Sequence, residues 1–133
     1  MKHLPLLLAA AALAGCAGSE RPYSPVAHVR YSALGHDPFW SLAIGDDRIV
    51  LTRSGPGKRE SWRSHSYPRV LPRTVDGARL WESGEGTAVI SVEARPGPCT
   101  GSRGTRYEDH VRVRLSGSEL TGCGGRILAR GGR

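Results

Sequence analysis

The chain has 133 residues, which is enough for one compact core and too few for two independent ones. Hydrophobic residues make up 38% of it and charged residues 23%, a balance that excludes a disordered tail and a multi-span membrane protein. The 18 glycines and 9 prolines form about a fifth of the chain, which favours many short elements joined by turns.

The charge is basic, with 19 Lys and Arg residues against 12 Asp and Glu residues, a net charge of +7 and a pI near 10.0. Such a charge favours anionic partners such as lipid head groups, lipopolysaccharide phosphates or nucleic acid. The arginines are scattered, without the dense block or aromatic-interleaved helix of nucleic-acid-binding modules, so we expect no nucleic-acid partner. A solvated basic surface in an arginine-rich proteome is the alternative explanation.

The N-terminus has the pattern of an export signal. Lys2 and His3 form a basic start, and the apolar run 4–14 follows. Eleven residues are too few for a helix that crosses a bilayer, which needs about 20. A basic start, a short apolar run and small residues at its end are typical of a secretory signal peptide. We therefore assign residues 1–15 to a signal peptide and exclude them from the fold.

The end of this signal, Leu13-Ala14-Gly15-Cys16, resembles the lipobox of bacterial lipoproteins. The resemblance implies that Cys16 is diacylated through its thiol, becomes the N-terminus and is then N-acylated. Two or three acyl chains make release from a membrane negligible. By the same resemblance, the absence of an Asp directly after Cys16 favours a lipid-anchored position at the bacterial outer membrane, facing the periplasm. An ordinary signal peptide with a Cys there by chance is the alternative.

Two further cysteines, Cys99 and Cys123, lie late in the chain. Export would place both in an oxidising compartment, where a disulfide is the default. Zinc ligation is the alternative, but zinc sites use closely spaced pairs such as Cys-x2-Cys, and the chain has none. We predict a Cys99–Cys123 disulfide, no metal and no cofactor.

Residues 16–27 are small and polar with two prolines, which predicts a lipidated tether ahead of a domain at 28–133. In this domain apolar residues alternate with period two, which predicts strands. The clearest strands are 39–44, 48–53, 87–95, 107–115 and 118–123, and 60–67 is a further predicted strand with a weaker pattern. About seven to nine short strands predict an all-β fold, a small antiparallel barrel or sandwich. We favour the barrel because closure removes exposed strand edges.

The last three strands predict an antiparallel meander whose first and third strands lie about 10 Å apart. That distance is too long for a direct disulfide. We therefore expect residues 96–99 to form a loop that folds across the middle strand and brings Cys99 to Cys123.

Three features together resemble a family of small bacterial envelope lipoproteins: the lipobox, Gly35-His36-Asp37-Pro38-Phe39-Trp40-Ser41, and a late segment with Cys99, Tyr107 and Leu120-Thr121-Gly122-Cys123. The family has an early G-x-E-P-F-W motif and a late C-x-D-x-M-S…Y…L-x-G-C segment. Here Asp37 takes the acidic position, whereas the acid and Met after Cys99 are missing. The resemblance covers roughly residues 33–126 and implies a β-rich envelope domain.

Asp37, Phe39, Trp40 and Tyr107 form the candidate cluster that these motifs single out. In one interpretation, Asp37 and Trp40 belong to a ligand-binding mouth at a barrel end. In the other, Phe39 and Trp40 close the barrel floor on opposite faces, and Asp37 caps the turn that Pro38 begins.

His110, Arg112 and Arg114 share one strand face and are the candidate anion-binding surface, either for anionic lipid or sugar phosphate or simply as an exposed strand face. The neighbouring Glu108 and Asp109 point to opposite faces, and we interpret them as the solvated start of that strand.

No nucleophile–base or metal-ligand spacing is present, so we expect a monomeric, non-enzymatic lipoprotein with a binding or envelope-maintenance role. The alternative is a periplasmic lysozyme inhibitor, since lipid-anchored small barrels of that kind exist. With Lys2 removed, 18 basic and 12 acidic residues leave +6, which opposes binding to a basic lysozyme.

Overall fold

The computed structural model describes residues 25–55 and 62–132. The predicted signal peptide, Cys16 and most of the predicted tether lie outside these residues. The described residues form nine strands and a single 3-10 turn at Ser102–Gly104. The strands are β1 Tyr31–Gly35, β2 Trp40–Ile44, β3 Arg48–Arg53, β4 Arg63–Pro68, β5 Arg73–Val75, β6 Ala78–Glu85, β7 Ala88–Thr100, β8 Arg106–Leu115 and β9 Ser118–Ala129. Among these residues we find no helix with the length and hydropathy of a membrane span.

The strands form one antiparallel sheet in the order β4-β3-β2-β1-β9-β8-β7-β6-β5. The chain runs through each half of the sheet in order, and the halves meet where β1 pairs with β9. The sheet curls until its ends approach each other, and the Ser83 hydroxyl on β6 donates a 2.5 Å hydrogen bond to the Pro68 carbonyl on β4. This curled half-barrel confirms the predicted all-β, antiparallel fold.

The core fills the concave side of the sheet, because alternate side chains of each strand point there. Six large side chains from β2, β3, β7 and β8 are almost completely buried: Trp40, Ile49, Leu51, Ile90, Val92 and Val113. Each such side chain stabilises the fold by about 1.5–3 kcal/mol relative to an exposed one. The half-barrel is therefore packed with side chains rather than hollow.

The predicted strands 39–44 and 48–53 are present as β2 and β3, which pair as a hairpin with Trp40 opposite Arg53 and Ile44 opposite Ile49. The hairpin turn holds Asp46 and Asp47, a residue type that favours turns. The predicted strand at 60–67 is observed as β4, which begins at Arg63; residues 60 and 61 lie outside the described part of the chain.

The expected loop at 96–99 is wrong, although the Cys99–Cys123 disulfide is confirmed. β7 continues to Thr100, with a register shift between Pro96 and Cys99, and β8 shifts its register against β9 near Asp109. Such irregularities bend and twist strands. The two Cα atoms are 5.5 Å apart, and Cys99 lies within β7 rather than on a loop that crosses β8.

Residues 25–27, which the sequence places in the tether, contact the sheet. Val26 is buried, and the Ala27 amide donates a 2.8 Å hydrogen bond to Asp47. The Pro25 carbonyl accepts two hydrogen bonds from Arg48, of 2.9 and 2.7 Å. Residues 25–27 therefore pack against the β2–β3 turn, ahead of the predicted domain start at residue 28.

Candidate functional site

The candidate cluster is divided between the core and the surface. Trp40 is 1% exposed, and its indole Nε1 donates a 3.2 Å hydrogen bond to the Thr121 carbonyl on β9. Asp37 is exposed, and within residues 25–55 and 62–132 its carboxylate has no hydrogen bond, so it does not form the expected cap. The packing of Trp40 agrees with the structural interpretation of the early motif rather than with a ligand-binding mouth.

Phe39 faces away from Trp40, as the structural interpretation predicts. Its ring stacks on Trp62 with centroids 5.4 Å apart and lies 5.6 Å from the His36 ring. The amide and the hydroxyl of Ser54 each donate a 3.0 Å hydrogen bond to the Phe39 carbonyl. The start of the hairpin is thus fixed on its outer side by aromatic contacts and by Ser54.

Phe39 and Tyr107 meet on the outer face of the sheet. Both line a groove of about 260 Å³ that crosses β1, β2 and β3, together with Leu34, Ala43 and Val50. The structure therefore brings two of the four cluster residues to one groove, while Trp40 lies in the core and Asp37 in solvent.

The candidate anion-binding surface is exposed, and a carboxylate lies within it. His110, Arg112 and Arg114 are all exposed on the outer face of β8. Arg112 Nε lies 3.1 Å from one oxygen of Glu119 and Arg114 Nε lies 3.4 Å from the other. One carboxylate on β9 thus pairs with both guanidinium groups, which lowers the positive charge of this surface below the sequence-based expectation.

Asp109 is buried, which corrects the interpretation of Glu108 and Asp109 as a solvated strand start. Asp109 is 4% exposed, and its Oδ2 accepts hydrogen bonds from the Tyr31 hydroxyl at 2.8 Å and from Arg79 Nη2 at 3.1 Å. A buried carboxylate is costly unless such partners surround it. The alternation that points Val111 and Val113 inward also reaches Asp109, and this signal could have located it.

Two aromatic rings complete this group, which we call the mouth cluster: Tyr31, Arg79, Trp81 and Asp109. The Arg79 guanidinium lies 4.8 Å from the centroid of the Tyr31 ring and 5.4 Å from that of Trp81. The two rings are themselves 4.9 Å apart. Cation–π contact and the ion pair to Asp109 together fix Arg79 in place.

Glycines on β9 make room for the mouth cluster. A Cβ at Gly124 would lie 2.7 Å from the Tyr31 hydroxyl, and one at Gly125 would lie 2.8 Å from Asp109 Oδ2. Burial and, secondarily, the hydrogen bond to Asp109 raise the pKa of Tyr31 well above its usual range. The cluster therefore combines a neutral phenol, a paired carboxylate and an anchored guanidinium.

Comparisons with known proteins add no identification: no protein-family model matches the chain, and no curated protein or solved structure matches it either. Within the described ranges, no three His, Cys, Asp or Glu side chains are close enough together to hold a metal ion.

Proposed function

We propose that this chain is a lipid-anchored protein of the bacterial envelope, held at the outer membrane by acylated Cys16 and facing the periplasm. The observation that carries the proposal is the disulfide between Cys99 and Cys123, in a chain whose third cysteine ends a lipobox-like segment. Disulfides form and persist in oxidising compartments such as the periplasm. The resemblance to small envelope lipoproteins points to the same place.

We propose a binding or envelope-maintenance role for a monomer without a cofactor, rather than catalysis. Cys99 and Cys123 are consumed by their bond, so neither thiol is a nucleophile. The concave side of the sheet is occupied by its own core, which leaves the rim and the outer face for a ligand. The two buried polar residues of the described core, Ser83 and Asp109, bind other parts of the chain.

The proposed partner on the outer face is an anionic envelope component, a lipid head group or a sugar phosphate. His110, Arg112 and Arg114 would contact it, with Glu119 as the carboxylate that it must displace or avoid. Exposed ion pairs of this kind contribute only about 0–1 kcal/mol, so an anionic ligand can compete with them.

Metabolic labelling with palmitate tests the anchor. We expect label on the wild type and on Ser19→Ala, and none on Cys16→Ser, because the thiol of Cys16 is the first acceptor of acyl chains in the proposal. Equal label on Cys16→Ser would overturn the anchor.

A partitioning experiment tests the outer face. The acylated chain in neutral detergent is offered equal amounts of phosphatidylcholine and phosphatidylglycerol vesicles, which are separated after the detergent is removed. We expect preference for phosphatidylglycerol, reduced by Arg112→Gln with Arg114→Gln. The control Arg63→Gln with Arg130→Gln removes the same charge elsewhere and should reduce the preference less. An equal reduction by both pairs would remove this surface from the proposal.

A further inference from the structure

We infer that the mouth of the half-barrel binds a phosphate group, either that of a lipid head group or that of a small soluble phosphate. The mouth is the end of the half-barrel formed by the β2–β3 turn, the β4–β5 connection and the start of β6. This inference deepens the proposed binding role and rests on residues other than the outer-face surface. It does not require the lipid anchor.

Arg79 is held in position at the mouth of the half-barrel. Arg79 Nη2 is bound to the buried Asp109, while its side chain keeps 44% of its surface exposed. A guanidinium has five N–H donors, and the ion pair with Asp109 occupies only Nη2. Because Arg79 is already fixed between this carboxylate and two rings, little of its freedom is lost when it binds an anion.

Two cavities lie beside Arg79. One cavity of about 330 Å³ extends from Arg79 to Arg69 and Arg30, and its apolar wall is made by Val70, Leu71, Pro72 and Trp81. A second cavity, of about 320 Å³, is lined by Tyr31, Glu108 and Arg126. Arg30 and Arg79 line both cavities, which therefore adjoin.

The first of these cavities, lined by Arg69, has an excess of positive charge. Its three arginines face one lining carboxylate, Asp46, which Arg30 binds through Nε at 2.7 Å and Nη2 at 2.9 Å. Asp46 also attracts Arg69, although the two are not within ion-pair distance. Asp46 and Asp109 together supply two negative charges against three arginines, which leaves one positive charge in excess. Arginines that converge on a cavity with an excess positive charge suit the several oxygens of a phosphate group.

The apolar wall of the same cavity includes an exposed leucine. Leu71 is 76% exposed and lines the cavity that holds Arg69. An apolar side chain beside cationic groups matches the boundary between a head group and its acyl chains. The wall therefore favours lipid phosphate over a free phosphate, and the two sources can be separated experimentally.

Calorimetric titration of the full chain, in neutral detergent with its disulfide intact, tests the inference. The probes are inorganic phosphate and dihexanoyl phosphatidic acid. We expect both to bind, and Arg69→Gln to weaken both by roughly tenfold, the value of one charge-assisted hydrogen bond. Arg69 is chosen because it has no bond to the core, so its removal should leave the fold intact. The control Arg63→Gln removes the same charge on β4, away from both proposed sites, and should change neither.

Leu71→Ser separates the two sources. Tighter binding of phosphatidic acid than of inorganic phosphate, with the difference lost in Leu71→Ser, would support lipid phosphate. Equal binding of both probes, unchanged in Leu71→Ser, would support free phosphate. Absence of binding at millimolar phosphate, or equal binding by wild type and Arg69→Gln, would overturn the site. None of these outcomes depends on palmitate labelling of Cys16, so failure of the anchor and failure of this site are distinguishable.

Discussion

The hydroxyl of Tyr31 donates a 2.8 Å hydrogen bond to the carboxylate of Asp109, 78 residues further along the chain. The bond joins β1 to β8 across the intervening β9. It satisfies a buried charge at the end of the half-barrel where the two mouth cavities lie. The same contact thus links the stability of the sheet to the placement of Arg79.

Removal of the Tyr31 hydroxyl should destabilise the fold. Tyr31→Phe leaves the buried Asp109 carboxylate with Arg79 as its remaining partner, and we expect a loss of about 2 kcal/mol in the free energy of unfolding. Urea unfolding at neutral pH measures this loss. Tyr107→Phe, which removes a phenol hydroxyl that does not bind Asp109, is the matched control and should cost less.

Alkaline pH should reveal the same bond. Burial and the hydrogen bond to Asp109 raise the pKa of Tyr31, so the folded state keeps a proton that the unfolded chain loses near pH 10. The free energy of unfolding is therefore unaffected by this group below about pH 10 and falls as pH rises further. In Tyr31→Phe the fall should be shallower, as urea midpoints between pH 8 and pH 11 would show. An identical fall in both proteins would exclude Tyr31 as its source.

Trp40 should matter more for stability than Trp62. Trp40→Phe removes volume from the core and the hydrogen bond to the Thr121 carbonyl, with an expected cost of about 2 kcal/mol. Trp62→Phe keeps an aromatic ring against Phe39 at a half-buried position and should cost less than Trp40→Phe. Similar costs for the two variants, measured by chemical unfolding, would contradict the burial of Trp40.

Gly35 has no room for a side chain. A Cβ there would collide with the Trp40 indole and would lie 2.5 Å from the Thr121 carbonyl oxygen. We expect Gly35→Ala to cost about 1–3 kcal/mol, as overpacked cores do. Gly132→Ala, where a Cβ would meet nothing within 4 Å, is the control and should be neutral. Thermal unfolding of both variants distinguishes the positions, and a neutral Gly35→Ala would show that β1 and β2 are not packed as described.

The Cys99–Cys123 disulfide closes a loop between two residues that are 24 positions apart in the sequence. The chain-entropy model gives roughly 3.5 kcal/mol for a loop of this length. A reductant should therefore lower the unfolding temperature of the wild type markedly and leave Cys99→Ala with Cys123→Ala unchanged. If the double variant were as stable as the oxidised wild type, the bond would have no structural role.

Period-two alternation predicted β2, β3, β7 and β8 because a buried apolar side chain recurs at every second position over part of each strand. It failed at Pro96 and Pro98, where prolines and a glycine usually end a strand, yet β7 continues through a register shift. β6 was missed because charged residues interrupt its pattern. In each case the decisive contact is with a neighbouring strand and lies outside the local sequence.

The candidate site was harder to predict than the fold. Two neighbouring carboxylates, such as those of Glu108 and Asp109, suggest an exposed position. The burial of Asp109 is stabilised by Arg79 and Tyr31, which lie 30 and 78 residues away in the sequence. Local sequence does not contain that pairing. The disulfide was predictable, by contrast, because the sequence predicts export, and two cysteines in an oxidising compartment have each other as the natural partner.

We propose that acylated Cys16 holds a disulfide-closed half-barrel at the bacterial envelope. Intact mass spectrometry of the protein isolated from bacterial envelopes tests this most directly. We predict a chain that begins at Cys16, carries the mass of its acyl chains and lacks the two hydrogens of the Cys99 and Cys123 thiols. A chain that begins elsewhere without acyl mass, or one with both thiols free, would contradict the claim.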